Sequence, residues 1–145
     1  MRLARARFDD VAVVAKDPDR YAGCGATLLR DASAARTPLS GLLAGLSWCR
    51  ADALFAFGVD MPFAVDAALL EALEAAGGGA AVPVHGGVPQ PLSAIWRPEP
   101  CLAVSVAETL GPLALARAAG AAFLEWSDPR PFLDCDTRGD LEKLA

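Results

Sequence analysis

Ala53-Leu54-Phe55-Ala56-Phe57-Gly58-Val59-Asp60 is an apolar run of five residues closed by a glycine and, two positions on, a carboxylate. A run this short suits a strand buried on both faces of a sheet better than a helix. The same pattern recurs on either side. Val11-Ala12-Val13-Val14-Ala15 is a second such run, Thr27-Leu28-Leu29 a weaker one, and residues 80–84 a fourth that stops at Gly86-Gly87. Residues 92–96 and 121–126 complete the set. Helical stretches lie between them. Thr37 offers an N-cap ahead of Pro38, and Leu39, Leu42, Leu43 and Leu46 then fall on one helix face. Residues 66–76 read as a helix stopped by Gly77-Gly78-Gly79. Residues 99–120 read as helix interrupted near Gly111-Pro112. Thr137 caps a last short helix with Asp140 in its first turn, and residues 2–8 look like the tail of another. Strands alternating with helices of about ten residues predict βαβ units and a largely parallel sheet.

The chain has 145 residues, 54% of them hydrophobic and 21% charged, which suits a folded domain and excludes a disordered one. A domain of this size buries roughly 70% of its unfolded surface and needs no staples. The net charge of −5 argues against a nucleic-acid surface or an anionic-membrane patch, because both need clustered positive charge. No apolar run approaches the roughly 20 residues that span a bilayer, and the basic N-terminus leads into Asp9-Asp10 instead of a signal's apolar core. The expected location is the cytoplasm. Cys24, Cys49, Cys101 and Cys135 are far apart and form no C-x-x-C, so they read as reduced, mostly buried thiols.

In a parallel α/β sheet, ligands sit outside the carboxyl ends of the strands, so the residues just after each strand are the candidates. Asp60 is the sharpest. A carboxylate there projects over a strand end, where phosphates and Mg²⁺ would sit, and Mg²⁺ takes one or two carboxylates plus phosphate oxygens. Its alternative is to close a turn or cap the next helix, a role open equally to Asp66. Asp134-Cys135-Asp136 carries two carboxylates two apart on an extended segment, which point the same way. They suit a shared metal or a ligand hydrogen bond; Asp136 also suits the approach to the last helix. Asp31 follows the Thr27 strand, and Gln90 follows a glycine hairpin. His85, the only histidine, reads as structural, and no nucleophile–base pair can be built on it. Gly41 and Gly45 read as close packing of their helix on the sheet.

Taken in order, four segments resemble the molybdenum cofactor guanylyltransferases. They are Thr37-Pro38-Leu39-Ser40-Gly41-Leu42-Leu43-Ala44-Gly45-Leu46, Phe57-Gly58-Val59-Asp60-Met61-Pro62-Phe63, Gln90-Pro91-Leu92-Ser93-Ala94-Ile95-Trp96, and Asp134-Cys135-Asp136-Thr137-Arg138-Gly139-Asp140-Leu141. The resemblance runs from about Val11 to the end. It implies an α/β, Rossmann-like three-layer nucleotidyltransferase domain, of the kind that handles nucleotide-diphospho-sugars. It implies transfer of GMP from GTP to molybdopterin with Mg²⁺. Asp60 takes the family's metal- and nucleotide-binding aspartate and with it the catalytic role, Asp31 a nucleotide contact, and Asp134, Asp136 and Gln90 the pterin side of the site.

The departures define further expectations. Carboxylates at Asp134 and Asp136 replace the family's asparagines, and Val14 stands where another asparagine is expected. Such D-x-D-T segments occur in the related cytidylyltransferases, so transfer from CTP is an alternative. No segment matches the family's opening strand and glycine-rich phosphate loop, whose N–H groups cradle phosphates. The expectation is therefore one domain over residues 1–145, N-terminally shortened, whose natural polypeptide begins upstream or which is a degenerate binding module. Two buried strands would then lack a ladder partner, inviting self-association or a partner that covers the open sheet.

Overall fold

The computed structural model describes residues 2–31, 33–35, 37–137, 139, 140 and 142. The elements are α1 (Arg2–Arg7), β1 (Ala12–Ala15), β2 (Thr27–Arg30), α2 (Pro38–Trp48), β3 (Leu54–Phe57), α3 (Ala67–Ala75), β4 (Ala80–His85), β5 (Val88–Pro89), β6 (Ser93–Trp96), α4 (Pro98–Leu102), α5 (Pro112–Ala118) and β7 (Ala122–Glu125). Single 3₁₀ turns occupy Pro18–Tyr21, Glu108–Leu110 and Arg130–Phe132. The expected strands appear within a residue or two at their ends, as do the helices α1, α2 and α3. The last short helix cannot be followed, because Arg138, Leu141 and residues 143–145 lie outside the described residues.

The sheet corrects one expectation. It is mixed, not largely parallel. β1 and β2 form a parallel pair of their own, and a separate five-stranded sheet runs in the order β3-β6-β4-β5 with β7 also on β4. β6 lies antiparallel to both β3 and β4, while β7 is parallel to β4. The reason is the short β4–β5–β6 connection. Gly86 (φ 56°) and Gly87 (φ 78°) make a two-residue turn, which reverses the chain where a parallel return would need a dozen residues or more.

Alternating residues divide the core into two faces. Ala80, Val82, Ala94 and Trp96 meet Leu39, Leu42 and Leu46 of α2, Cys101 of α4, and Leu115 and Ala116 of α5. Ala81 and Ile95 point to the opposite face and meet Leu69 and Leu73 of α3. Helices cover both sides of the sheet, giving three layers. Trp96, Leu39, Leu69 and Leu73 are fully buried.

Two local expectations change. Residues 99–120 hold two short helices, not one broken once: Pro98 starts α4, which ends at Leu102, and Pro112 starts α5. Thr37 does precede α2, but its side chain does not cap; its Oγ1 donates to the Glu108 carbonyl at 2.9 Å. Asp66 does cap α3, its Oδ1 accepting from the Leu69 N–H at 2.8 Å. Of the four free thiols only Cys101 is fully buried.

The glycines separate into those packing demands and those it does not. A Cβ on Gly79 would run into the Ala119 carbonyl and methyl, whereas one on Gly45 would meet Leu54 at an ordinary 3.6 Å. Close packing of α2 therefore does not require its glycines. Gly79→Ala is expected to destabilise the protein by about 1–3 kcal/mol. Gly45→Ala should instead raise stability by up to about 1 kcal/mol through helix propensity. Urea midpoints of the two variants check both signs.

Candidate active site

The carboxyl ends of β1, β2 and β3 converge on one mouth. Lys16 follows β1, Asp31 follows β2, and Gly58-Val59 follow β3; all four line the same cavity, with Thr37, Pro38 and Leu92. The Asp31 side chain is only 9% exposed. Its Oδ1 accepts from the Ser33 N–H at 3.1 Å, and its Oδ2 accepts from Ser40 Oγ at 2.7 Å and pairs with Lys16 Nζ at 2.8 Å. Burial alone would raise its pKa. Hydrogen bonds from Lys16, Ser40 and the Ser33 backbone, with the Lys16 charge, outweigh that and hold it below 3.8. Lys16 also donates to the Ser33 and Ala35 carbonyls, at 2.6 Å each, and Ser33 Oγ bonds to the Glu108 carboxylate. One network thus ties the end of β1, the 31–37 loop, the first turn of α2 and the Glu108 turn together.

Asp60 lies on the adjacent rim and is exposed. A tight turn sets it there, with the Met61 N–H donating to the Gly58 carbonyl at 3.2 Å. Because Asp66 caps α3, the helix-capping alternative for Asp60 falls away. The Asp60 carboxylate folds back over the Gly58 α-carbon, in space that a Cβ there would occupy. The Cys135 N–H donates to the Asp60 carbonyl at 2.8 Å, which brings the exposed Asp134 and Asp136 alongside. Partial burial, then the charges of Asp140, Asp134, Asp60 and Asp136, push the Cys135 thiol up, so four carboxylates crowd this rim. Thr137 and Asp140 close the segment with a reciprocal cap: the Thr137 N–H and Oγ1 donate to Asp140 Oδ2 at 3.0 and 2.6 Å.

Gln90 ends the hairpin, its Nε2 donating to the Val88 carbonyl at 3.3 Å. His85 is occupied structurally, with Nδ1 2.9 Å from the Trp126 carbonyl and its ring against Phe132. The structure therefore brings Asp60, Asp134 and Asp136 together and sets Asp31 on the same mouth. Lys16, Ser33, Ser40 and Glu108 were missed by sequence reasoning. Lys16 was within reach of it, since it directly follows a strand.

Residues 1–129 match the family model of the MobA-like NTP transferase domain. The chain belongs to that family. It is 37% identical over 151 aligned residues to a protein of Cereibacter sphaeroides named molybdenum cofactor guanylyltransferase, covering 94% of this chain and 74% of the relative. A second C. sphaeroides protein of that name is 36% identical over the same share. Two solved structures share the fold at 19% identity. One, from Aquifex aeolicus, has a TM-score of 0.78 and covers 94% of this chain and 76% of its own. The other is molybdopterin-guanine dinucleotide biosynthesis protein A of Archaeoglobus fulgidus, with a TM-score of 0.72 and coverage of 98% and 81%. These likenesses agree with the three-layer nucleotidyltransferase fold expected from the motifs. Among the described residues no helix is long and apolar enough to cross a membrane.

The lowered pKa of Asp31 gives a pH test. Its native value lies below the unfolded one, so its stabilisation is complete above pH 3.8 and is lost as the pH falls through the native pKa. Urea midpoints should therefore fall below pH 3.8. In Asp31→Asn that part of the acid slope should be missing.

Proposed function

We propose that this chain is a nucleotidyltransferase of molybdenum cofactor biosynthesis, transferring GMP from GTP to molybdopterin. The observation that carries the reading is 37% identity, over 94% of the chain, to relatives named for that activity. The candidate mouth supports it with a buried, ionised acceptor beside a carboxylate-lined rim. In the transfer, a phosphate oxygen of the pterin bonds to the α-phosphorus of GTP. The bond from that phosphorus to its β-side bridging oxygen breaks, and pyrophosphate leaves. Chemistry of this kind asks the protein for positioning and charge balance more than for covalent help.

Asp31 is the nucleotide contact. Lys16, Ser40 and the Ser33 N–H hold its carboxylate ionised, ready to accept hydrogen bonds from the nucleotide. Asp60, with Asp136 or Asp134, is the site for Mg²⁺. The donor set fits, since these are hard oxygen ligands, exposed at a strand end, with room for phosphate oxygens and water. Among the described residues no three His, Cys, Asp or Glu form a ready cage, so one or two carboxylates would hold the ion with phosphates completing its shell. Bound there, Mg²⁺ supplies positive charge to the triphosphate. Asp134, Asp136 and Gln90 face the pterin side, and the site works in the cytoplasm.

The test is product formation from Mg-GTP and molybdopterin, followed by mass spectrometry, with CTP as competitor. Asp60→Ala is expected to lower turnover by at least about 100-fold, with an unchanged circular dichroism spectrum. Turnover equal to wild type would sink the assignment, and preference for CTP would move it to a cytidylyltransferase. Gly58→Ala offers a finer probe. The new methyl displaces the Asp60 carboxylate and the Met61 sulfur, both flexible ends. Stability should change by less than about 1 kcal/mol, while the Mg²⁺ concentration for half-maximal turnover rises.

A further inference from the structure

Asp31 offers a ligand less than a free carboxylate does. A carboxylate has about four lone-pair positions. Oδ2 is engaged by Lys16 Nζ at 2.8 Å and by Ser40 Oγ at 2.7 Å, the latter proton being shared with the Thr37 carbonyl at 2.8 Å. Oδ1 has the Ser33 N–H, at 3.1 Å, as its one partner among the described residues. Oδ1 is therefore the oxygen with an open position, and its direction is set by where Ser33 holds its N–H.

Ser33 is itself a junction. Its carbonyl accepts from Lys16 Nζ at 2.6 Å, its Oγ accepts from the Ala35 N–H at 3.0 Å, and the same Oγ donates to the Glu108 carboxylate. A hydroxyl has a single proton to give, so the group that takes it decides which lone pairs are left for Ala35. That group is Glu108. The same residue also holds the far end of the segment, its carbonyl accepting from Thr37 Oγ1 at 2.9 Å. Its own footing is independent of the loop. Val104 and Val106 ahead of it pack on the core between α2, α4 and α5, and buried Pro112 behind it starts α5. The Leu110 N–H closes the turn on the Ala107 carbonyl at 2.9 Å. Packing thus fixes Glu108, and Glu108 fixes Ser33.

We propose that Glu108 is a positioning residue for nucleotide binding. Through Ser33 it aims the open oxygen of Asp31, so the connection between α4 and α5 belongs to the nucleotide site without lining it. The proposal rests on the reading of Asp31 as the nucleotide contact. It carries a sign of its own. As a bare charge, a carboxylate near the site weakens binding of an anionic nucleotide, and its removal would tighten binding. As a positioning group, its removal weakens binding.

The test compares Glu108→Ala, Glu108→Gln, Ser33→Ala and the Ser33→Ala/Glu108→Ala double variant with wild type. Amide hydrogen exchange at Ser33 and Ala35 is followed by NMR, and kcat and KM are measured for Mg-GTP. In Glu108→Ala the two amides are expected to exchange at least about fivefold faster, with those of β4 unchanged. KM for Mg-GTP should rise about 5- to 20-fold, with kcat within about twofold of wild type. Glu108→Gln keeps an acceptor for the Ser33 hydroxyl, so its KM should stay within about threefold of wild type. The double variant should be no worse than Glu108→Ala, since both changes cut the same link. Unchanged exchange, a KM that is unchanged or lower in Glu108→Ala, or equal damage from Glu108→Gln would overturn the proposal. So would a fall in Tm and kcat with KM unmoved, which marks a purely structural role. Wild type that turns over no GTP would count against the catalytic reading instead, and the exchange rates then decide the positioning role alone.

Discussion

Burial of β4 and β6 on both faces is the constraint on which the rest of the molecule depends. Ala80, Ala81, Ala94 and Val82 are small enough to let helices approach from either side, and Trp96 fills the space they leave on the α2 face. With both faces covered, a one-residue slip would exchange the two core sets and drive the Trp96 ring into the α3 side. Register is therefore fixed by packing. β3 inherits it through its four-residue pairing with β6, from Leu54 opposite Trp96 to Phe57 opposite Ser93. Since Gly58, Val59 and Asp60 follow directly, the position of the carboxylate rim is set by apolar contacts far from it.

The β1–β2 pair has no such double cover, and its attachment is different in kind. Val14 rests on α2, and beyond that the strand ends are held by charge and hydrogen bonds. A largely buried Asp31 with Lys16 gains little net stability as an ion pair, because desolvation offsets most of the attraction. What the network supplies is definition. Lys16 uses its ammonium on Asp31 and two loop carbonyls, Ser40 anchors the same carboxylate from α2, and Ser33 reaches the Glu108 turn. Removing one member would leave a buried charge or donor without a partner, which costs more than the pair is worth. Asp31 is thus held by polar contacts and Asp60 by packing.

The sequence was legible wherever a single segment carries the information. Short apolar runs marked β1, β3 and β4, the last two bounded by glycine, and the leucine spacing from Leu39 to Leu46 marked α2. Strand direction was not legible from alternation alone. The signal lay in Gly86-Gly87 and the brief Gln90-Pro91-Leu92 link, both too short for a crossover. The break of residues 99–120 was half legible. Pro112 was noticed, while Val104 and Val106, β-branched and poor in a helix, were not weighed. In the site, the rule of looking after each strand found Asp31 and Asp60 yet passed over Lys16. Ambiguity between Asp60 and Asp66 as caps could not be resolved from the residue types, since both precede a helix. The Thr37–Glu108 and Ser33–Glu108 bonds join positions more than 70 residues apart. No local pattern announces them.

The electrostatics of the rim follow from this arrangement. Because the Cys135 N–H is bonded to the Asp60 carbonyl, the Asp134–Asp136 segment and the Asp60 turn form one unit, and their charges act together. Cys135 registers the result: partial burial first, and then four neighbouring carboxylates, disfavour its thiol as an anion. Asparagines at 134 and 136, as the resembling family carries, would give similar hydrogen bonds with two fewer negative charges. Carboxylates there repel any anion brought close to the rim. Carboxylates in place of amides at these two positions therefore leave the rim with a concentrated negative charge, which favours cations over anions beside it.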